Sequence, residues 1–130
     1  MSEADALRAL LQRYARAVDR RDIDALVGLF HPEATLEGAR GVQSLDEWLE
    51  TMRAPRSFPV SMHVLGDPLI TYRPGEDHSS LDTYAVVHQL GAAASGDGDL
   101  TLGLNYLDEV VRHDSGWVIR SRVSRTLWMR

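Results

Sequence analysis

Histidine, aspartate, glutamate, tyrosine, arginine, serine and threonine are the residue types with which this chain could do chemistry. Cysteine is absent, which excludes disulfides, thiolate nucleophiles and Cys-rich zinc sites. Lysine is absent too, which excludes a Schiff-base enzyme and the lysine of a Walker-type phosphate loop. The histidines show neither i, i+4 spacing on a helix nor clustered carboxylates, so we predict no metal. The motifs G-x-G-x-x-G and G-x-x-x-x-G-K-[ST] are absent, so we predict no nucleotide cofactor.

Asp19 occupies an unusual position for a carboxylate. Leu7, Leu11 and Ala15 form an apolar row at i, i+4 spacing, and Asp19 is its next member. The macrodipole also disfavours negative charge near a helix C-terminus, by about 0.3–1 kcal/mol. An acid in such a position is a candidate for a side chain that points into a pocket. Pairing with Arg20, Arg21 or another arginine is the structural alternative.

Three helices are predicted in the first half of the chain. Ser2 caps a first helix over about residues 3–20, and Asp22 starts a short second helix that Pro32 ends. A third helix begins at the sequence SLDE, residues 44–47, which has the form of a capping box.

From about residue 60 the apolar pattern changes to a period of two, which is typical of strands. A strand interrupted at residues 66–68 is followed by three more, and the turn sequence DSG joins the last two as a hairpin. The segment GAAASGDGD, residues 91–99, is typical of an exposed loop. Helices followed by an antiparallel meander predict one α+β domain over residues 1–130, with helices on one side of a curved sheet and a hollow between the layers.

Three stretches resemble the SnoaL-like branch of the nuclear-transport-factor-2-like superfamily in order and spacing. They are RYARAVDRRDIDALVGLFHPEATLEG (13–38), SMHVLGD (61–67) and NYLDEVVRHDSGWVIRSR (105–122). The resemblance covers nearly the whole chain and implies a cone-shaped α+β barrel with a pocket between the long helix and the concave sheet. The superfamily includes scytalone and bile-acid 7α-dehydratases, hexachlorocyclohexane dehydrochlorinase, ketosteroid isomerase, polyketide cyclases and members that only bind or associate, so the fold alone does not assign a function.

The resemblance suggests a catalytic pair. By position, Asp19 and His63 are similar to the Asp and His that pair in the dehydratase and dehydrochlorinase members. A carboxylate bound to one ring nitrogen fixes the tautomer, leaves the other nitrogen as a base and stabilises the imidazolium. Tyr14 is similar to a tyrosine of the scytalone and bile-acid dehydratases, and its phenol could donate to a carbonyl oxygen or a departing hydroxyl. The alternatives are a structural His63 and a core Tyr14.

Asp108 and Arg122 are candidate binding residues. Asp108 matches the position of a neutral acid in ketosteroid isomerase and of an acid in some polyketide cyclases, and its alternative is an ion pair with Arg122 or a bond to a backbone amide. Gly38 stands where the isomerase has its catalytic aspartate, which argues against that mechanism. Arg122 resembles a pocket arginine of the dehydrochlorinase and dehydratases. Strand alternation places it opposite Trp117 and Ile119 unless the strand twists or bulges.

Three functions are compatible with these residues. The first is a cofactor-independent, dehydratase-type lyase in which His63, oriented by Asp19, removes a proton from a small apolar or cyclic substrate and Tyr14 assists loss of hydroxide. The second is a polyketide cyclase or isomerase that uses Asp108. The third is a non-catalytic small-molecule-binding or association domain. The apolar side chains expected around the ligand are Trp48, Phe58, Met62 and Leu65.

Charge and composition limit the partners. The net charge is −5, and the 14 basic residues are spread along the chain, which argues against nucleic acid or an anionic membrane as partner. The N-terminus lacks the basic and apolar regions of a signal peptide, and no apolar run reaches about 18 residues, so we predict a cytoplasmic protein. Apolar residues expected on the outer face of the sheet predict self-association; they are Tyr84, Val86 or Val87, and Trp128. The SnoaL-like resemblance implies that the assembly is a homodimer or homotrimer.

Overall fold

The three helices and the strands after residue 60 follow the sequence pattern, and two further strands lie between the second and third helices. The computed structural model describes residues 2–91 and 98–130, so most of the loop predicted at 91–99 lies outside the described residues. In chain order the elements are α1 (Glu3–Arg20), α2 (Ile23–Leu29), β1 (Phe30–Gly38), β2 (Gly41–Ser44), α3 (Leu45–Arg53), β3 (Val60–Leu65), β4 (Leu69–Ile70), β5 (His78–Leu90), β6 (Leu100–His113) and β7 (Gly116–Met129).

The helix starts confirm the predicted caps. Ser2 Oγ accepts a hydrogen bond from the N–H of Asp5 at 3.1 Å, and the Asp22 carboxylate caps α2. Ser44 and Glu47 form a reciprocal capping box at the start of α3. These bonds satisfy amides that have no partner within the helix, and each cap contributes about 1 kcal/mol.

The strands form one curved sheet in the order β2-β1-β7-β6-β5-β3, with β4 paired to β5. The predicted α+β fold with three helices is confirmed. The sheet is mixed, because β1 runs parallel to β7 while the other pairs are antiparallel. It is also unclosed, since the edge strands β2 and β3 do not pair with each other in the described part of the chain. The structure is therefore a curved sheet packed against a layer of helices and is not a closed barrel.

The core lies between α1 and the sheet. Leu7, Leu10 and Leu11 are at most 2% exposed and belong to one cluster with Leu81 of β5 and Val110 of β6. Full burial of such a side chain contributes about 1.5–3 kcal/mol. This packing holds α1 against the sheet and so fixes the position of the polar residues at the end of the helix.

An irregularity in β7 decides the direction of Arg122. The pairing of β7 with β6 shifts by one residue between Ile119 and Ser121, so that Arg120 is an additional residue in β7. Such a bulge reverses the alternation of side chains beyond it. Ile119 and Arg122 are consequently both buried, at 0% and 3% exposure. Strict alternation would have placed Arg122 on the opposite face, and the bulge brings it inside.

The outer face of the sheet exposes apolar side chains. Tyr84 is 68% exposed and Trp128 is 43% exposed, whereas Val87 is buried, so Val86 is the valine on the side of Tyr84. The Trp128 ring covers Gly103, where a Cβ atom would lie 2.1 Å from the ring. Val60, Met62 and Val64 of β3 are also exposed, and Val64 pairs with Val86 on this face.

We expect this face to mediate self-association, since a small monomer rarely exposes so contiguous an apolar patch. Tyr84→Glu should shift the protein toward monomer in sedimentation velocity at micromolar concentration. Val27→Glu is the control, because Val27 is an equally apolar, exposed residue on α2. A wild-type protein that sediments only as a monomer would refute the prediction.

None of the helices in residues 2–91 and 98–130 has both the length and the apolar character needed to cross a membrane.

Candidate functional site

The end of α1 and the edge strand β3 bring Asp19 and His63 together. His63 Nδ1 lies 2.6 Å from Asp19 Oδ1, and the backbone N–H of His63 donates to Asp19 Oδ2 at 2.8 Å. The N–H is available because β3 is an edge strand and this group points away from β5. The side chains of His63 and Asp19 are only 9% and 19% exposed. Asp19 thus binds both the ring and the main chain of His63.

Two residues that sequence reasoning missed complete this group. Ser61 Oγ donates to Asp19 Oδ1 at 2.9 Å, and Arg56 Nη2 donates to Ser61 Oγ at 3.1 Å. Ser61 precedes His63 by two positions, so strand alternation places both on one face and could have identified it. Arg56 lies in the loop before β3, where no periodic pattern predicts its direction.

Hydrogen bonding keeps Asp19 ionised. Burial raises the pKa of Asp19. The hydrogen bonds from the His63 ring, the His63 backbone and Ser61, together with the charge that His63 carries when protonated, lower the pKa by more than burial raises it, so it lies below its ordinary value. An ionised carboxylate only accepts hydrogen bonds, so His63 Nδ1 carries the proton. In residues 2–91 and 98–130 no group hydrogen-bonds Nε2. In the neutral form of the ring, the Nε2 lone pair would be the one available to take a proton.

The contribution of Asp19 to stability should disappear in acid. Since its pKa is lower in the folded than in the unfolded chain, the stabilisation is fully present above the unfolded value of about 3.9 and is lost as the pH falls through the folded value. Urea unfolding of wild type and Asp19→Asn from pH 6 to pH 2.5 should therefore give a difference in unfolding free energy that shrinks below about pH 4. A difference that stays constant down to the lowest pH would contradict this.

A second polar group lies deeper, between α1 and the sheet. Arg122 Nε and Nη2 donate to the two carboxylate oxygens of Asp108 at 2.6 and 2.9 Å, and both residues are at most 3% exposed. The guanidinium carbon lies 4.0 Å from the ring centres of both Tyr14 and Tyr106. Burial alone lowers the pKa of Arg122, but Asp108 and the two tyrosines raise it above its ordinary value. Arg122 is therefore a permanently charged cation between two rings.

One nitrogen of this cation is left unused. Arg122 Nη1 is buried and has no hydrogen-bond partner among the described residues. Arg122, Tyr14, Tyr106 and Trp48 line a cavity of about 180 Å³. Burial raises the pKa of Tyr106 well above its ordinary value, so this phenol stays neutral. Tyr106 was not predicted, although it precedes Asp108 by two positions and shares its strand face.

Tyr14 stands between the two groups. Its ring centre lies 6.3 Å from that of His63 in an edge-on arrangement, and its ring stacks on Trp48 at the same distance. His63, Asp19 and Leu65 line a separate groove of about 470 Å³ on the other side. The groove and the Arg122 cavity are distinct, and Tyr14 separates them.

The remaining predicted residues are divided between the Arg122 cavity and the His63 groove. Trp48 lines the Arg122 cavity and Leu65 lines the His63 groove. Phe58 lies half-buried in the loop between α3 and β3 and is not among the residues lining either space. A larger cavity of about 760 Å³, beside α2 and the β6–β7 turn, contains none of the predicted site residues.

A family model described as "SnoaL-like domain" matches residues 1–123. The chain belongs to the SnoaL-like domain family. This family agrees with the SnoaL-like resemblance that the sequence motifs suggested. A search among curated proteins found no significant match to the sequence.

Solved structures resemble the SnoaL-like domain over nearly all of its length. One is a Novosphingobium aromaticivorans protein provisionally described as a scytalone dehydratase, with 19% identity, a TM-score of 0.87 and coverage of 98% of this chain and 86% of that protein. Another is hexachlorocyclohexane dehydrochlorinase LinA-type3 from Novosphingobium barchaimii, with 14% identity, a TM-score of 0.83 and coverage of 97% and 87%. At these identities the likeness establishes the fold.

Proposed function

We propose that this SnoaL-like domain is a cofactor-independent lyase of the dehydratase type, acting on a small apolar or cyclic molecule. The observation that carries the proposal is the 2.6 Å contact between His63 Nδ1 and Asp19 Oδ1, which leaves Nε2 without a partner among the described residues. A base held in one tautomer by a carboxylate is suited to take a proton from carbon.

The proposed reaction is an elimination of water from a β-hydroxy carbonyl compound. Nε2 of His63 takes the proton next to the carbonyl group, and Asp19 stabilises the resulting imidazolium. The electrons of the C–H bond form the new double bond as the C–O bond breaks. The departing hydroxide takes the proton back from His63, so the products are water and a conjugated alkene, and the pair is restored.

Tyr14 and Arg122 supply the groups that stabilise negative charge. The Tyr14 ring contacts the His63 ring and also lines the cavity. Arg122 lines the same cavity, and the N–H groups of its Nη1 have no hydrogen-bond partner among the described residues. Both could donate to the substrate carbonyl oxygen as charge develops on it, which is the role of an oxyanion hole. For a substrate to reach both His63 and Arg122, the Tyr14 side chain must move or the substrate must extend past it.

Asp108 fits a positioning role better than that of an acid or base. Both of its oxygens accept hydrogen bonds from Arg122, and the residue is 2% exposed. Because both carboxylate oxygens are bound to Arg122, Asp108 is poorly placed to act on a substrate, which weakens the cyclase or isomerase alternative. The names dehydratase and dehydrochlorinase, borne by proteins of the same fold, favour an elimination.

A non-catalytic binding domain is the second candidate. It is favoured by the separation of the His63 groove from the Arg122 cavity and by the bond from Asp19 to the backbone of an edge strand. In that function Asp19 and His63 hold the end of α1 to β3, and no proton is transferred.

The experiment is a screen of cyclic β-hydroxy ketones and β-hydroxy acids, followed by ultraviolet absorbance of the conjugated product and by NMR in D₂O. The proposal predicts elimination, or exchange of the α-proton, by wild type and not by His63→Gln. If wild type converts none of the compounds that bind, the non-catalytic function is supported, and if both proteins react at the same rate, His63 is not the base.

A further inference from the structure

The ring of Tyr14 is packed among other rings in the core. Tyr14 is 5% exposed, and its ring centre lies 6.0 Å from that of Phe30 and 6.1 Å from that of Tyr106, edge-on in both cases. The guanidinium carbon of Arg122 lies 4.0 Å from the centre of the Tyr14 ring. Close packing of this kind leaves a ring few other positions, because its neighbours would have to move with it. Tyr14 is therefore a fixed wall for any space beside it.

The Arg122 cavity runs from the protein surface to Tyr14. At one end it is lined by residues 37–40 of the β1–β2 turn, which are exposed, and at the other by Tyr14, Tyr106 and Arg122, which are at most 5% exposed. Within residues 2–91 and 98–130, no residue lines both this cavity and the His63 groove. Tyr14, which contacts the His63 ring, thus closes the buried end of the cavity.

The volume of the Arg122 cavity fits one ring. A cavity of about 150 Å³ inside a protein can hold benzene. The Arg122 cavity measures about 180 Å³, which leaves room for a six-membered ring with a small substituent. Trp48 and Tyr106 give the cavity aromatic walls, which suit a flat ligand. A second ring, fused to the first on the buried side, would need the space that the Tyr14 ring occupies.

We propose that Tyr14 is a specificity-determining residue, whose ring closes the buried end of the Arg122 cavity to ligands larger than a single six-membered ring. The inference rests on the proposed function in that it takes this cavity as the substrate pocket and narrows the substrate to a monocyclic compound. Tyr14 acts here through the position of its ring and not through its hydroxyl group. Because this role is independent of proton transfer by His63, binding alone can test it.

Removing the Tyr14 ring should enlarge the cavity toward His63. A buried large-to-small replacement leaves a space behind, since the surrounding structure relaxes only partly. In Tyr14→Ala this space would connect the Arg122 cavity with the His63 ring that Tyr14 contacts. A ligand with two fused rings would then extend from Trp48 into the new space. A purely structural tyrosine would only lose binding when it is replaced, whereas this role predicts a gain for the larger ligand.

Phenol and 2-naphthol are the probes, because they differ by one fused ring, and NMR titration measures their dissociation constants. Wild type should bind phenol about tenfold more tightly than 2-naphthol, although 2-naphthol is the more hydrophobic. Tyr14→Ala should bind 2-naphthol about tenfold more tightly than wild type does. Trp48 lines the cavity and Trp117 and Trp128 do not, so the indole N–H signal of Trp48 should be the one that shifts when phenol is added.

Tyr14→Phe and Tyr72→Ala are the matched controls. Tyr14→Phe keeps the ring and should keep the wild-type preference for phenol. Tyr72 packs on Trp117 with ring centres 5.8 Å apart and lines neither the Arg122 cavity nor the His63 groove, so Tyr72→Ala should not gain affinity for 2-naphthol. If circular dichroism shows that Tyr14→Ala is unfolded, Tyr14→Leu takes its place, because it also removes the ring but retains more buried apolar volume. The preference of wild type between the two probes requires no variant.

Wild type that binds 2-naphthol as tightly as phenol would overturn the proposal, and so would an unchanged 2-naphthol affinity in a folded variant without the ring. Phenol that shifts the Trp117 or Trp128 signal and not that of Trp48, or that shows no saturable binding at millimolar concentration, would overturn it as well. No turnover enters these measurements. Absence of elimination in the substrate screen would therefore refute the proposed lyase and leave the size preference intact, and the reverse also holds.

Discussion

Replacing His63 by alanine is expected to abolish turnover of any substrate that the domain converts. Asp19→Asn should lower kcat by roughly 10²–10⁴-fold, because an amide can hold the wrong tautomer and cannot stabilise the imidazolium. The short Nδ1 to Oδ1 contact and the lowered pKa of Asp19 make this pair the most sensitive point of the proposed mechanism. Steady-state kinetics of the two variants, with the substrate found by the screen, measure the effect.

Folding controls separate a catalytic from a structural pair. His63→Ala leaves Asp19 with its bonds to Ser61 and to the backbone of residue 63, so thermal melting should show a folded protein. Ser61→Ala is a matched variant, because it removes a hydrogen bond to Asp19 without touching the base, and it should keep most of the activity. If His63→Ala is folded and keeps wild-type activity, the proposed base is refuted.

Replacing Asp108 by alanine is expected to destabilise the domain by about 3–5 kcal/mol, since it leaves the Arg122 cation buried without its carboxylate. The double variant Asp108→Leu with Arg122→Met should be closer to wild type than Asp108→Ala, because apolar side chains of similar volume remove the uncompensated charge. Urea unfolding of the single and double variants measures both effects.

The control for this comparison is the surface pair of Arg8 and Asp67. Their contact is as short, at 2.7 Å, but both side chains are largely exposed. Asp67→Asn should leave the unfolding midpoint close to that of wild type, because water and ions replace the lost partner. A loss for Asp108→Ala no greater than that for Asp67→Asn would show that water reaches the Arg122 cavity and screens the cation.

Local features of the fold were predictable because they depend on residues only a few positions apart. The caps at Ser2 and Asp22 and the capping box at Ser44 involve partners three residues away, and the sequence motifs identified all three. The hairpin between β6 and β7 likewise follows from its turn residues, with Asp114 at a φ of 55°.

The sequence by itself determined the α+β order of elements and singled out Asp19, an acid in an apolar helical row, and His63 as a candidate partner by family resemblance. Only the tertiary structure decided where the other polar groups point. The direction of Arg122 depends on a bulge that arises from pairing with β6, and alternation within one strand cannot predict it. The group of Asp19, Ser61 and His63 likewise joins side chains more than 40 positions apart in the chain, which the packing of α1 against β3 brings together. Periodicity describes one element at a time, whereas a site is assembled by the contacts between elements.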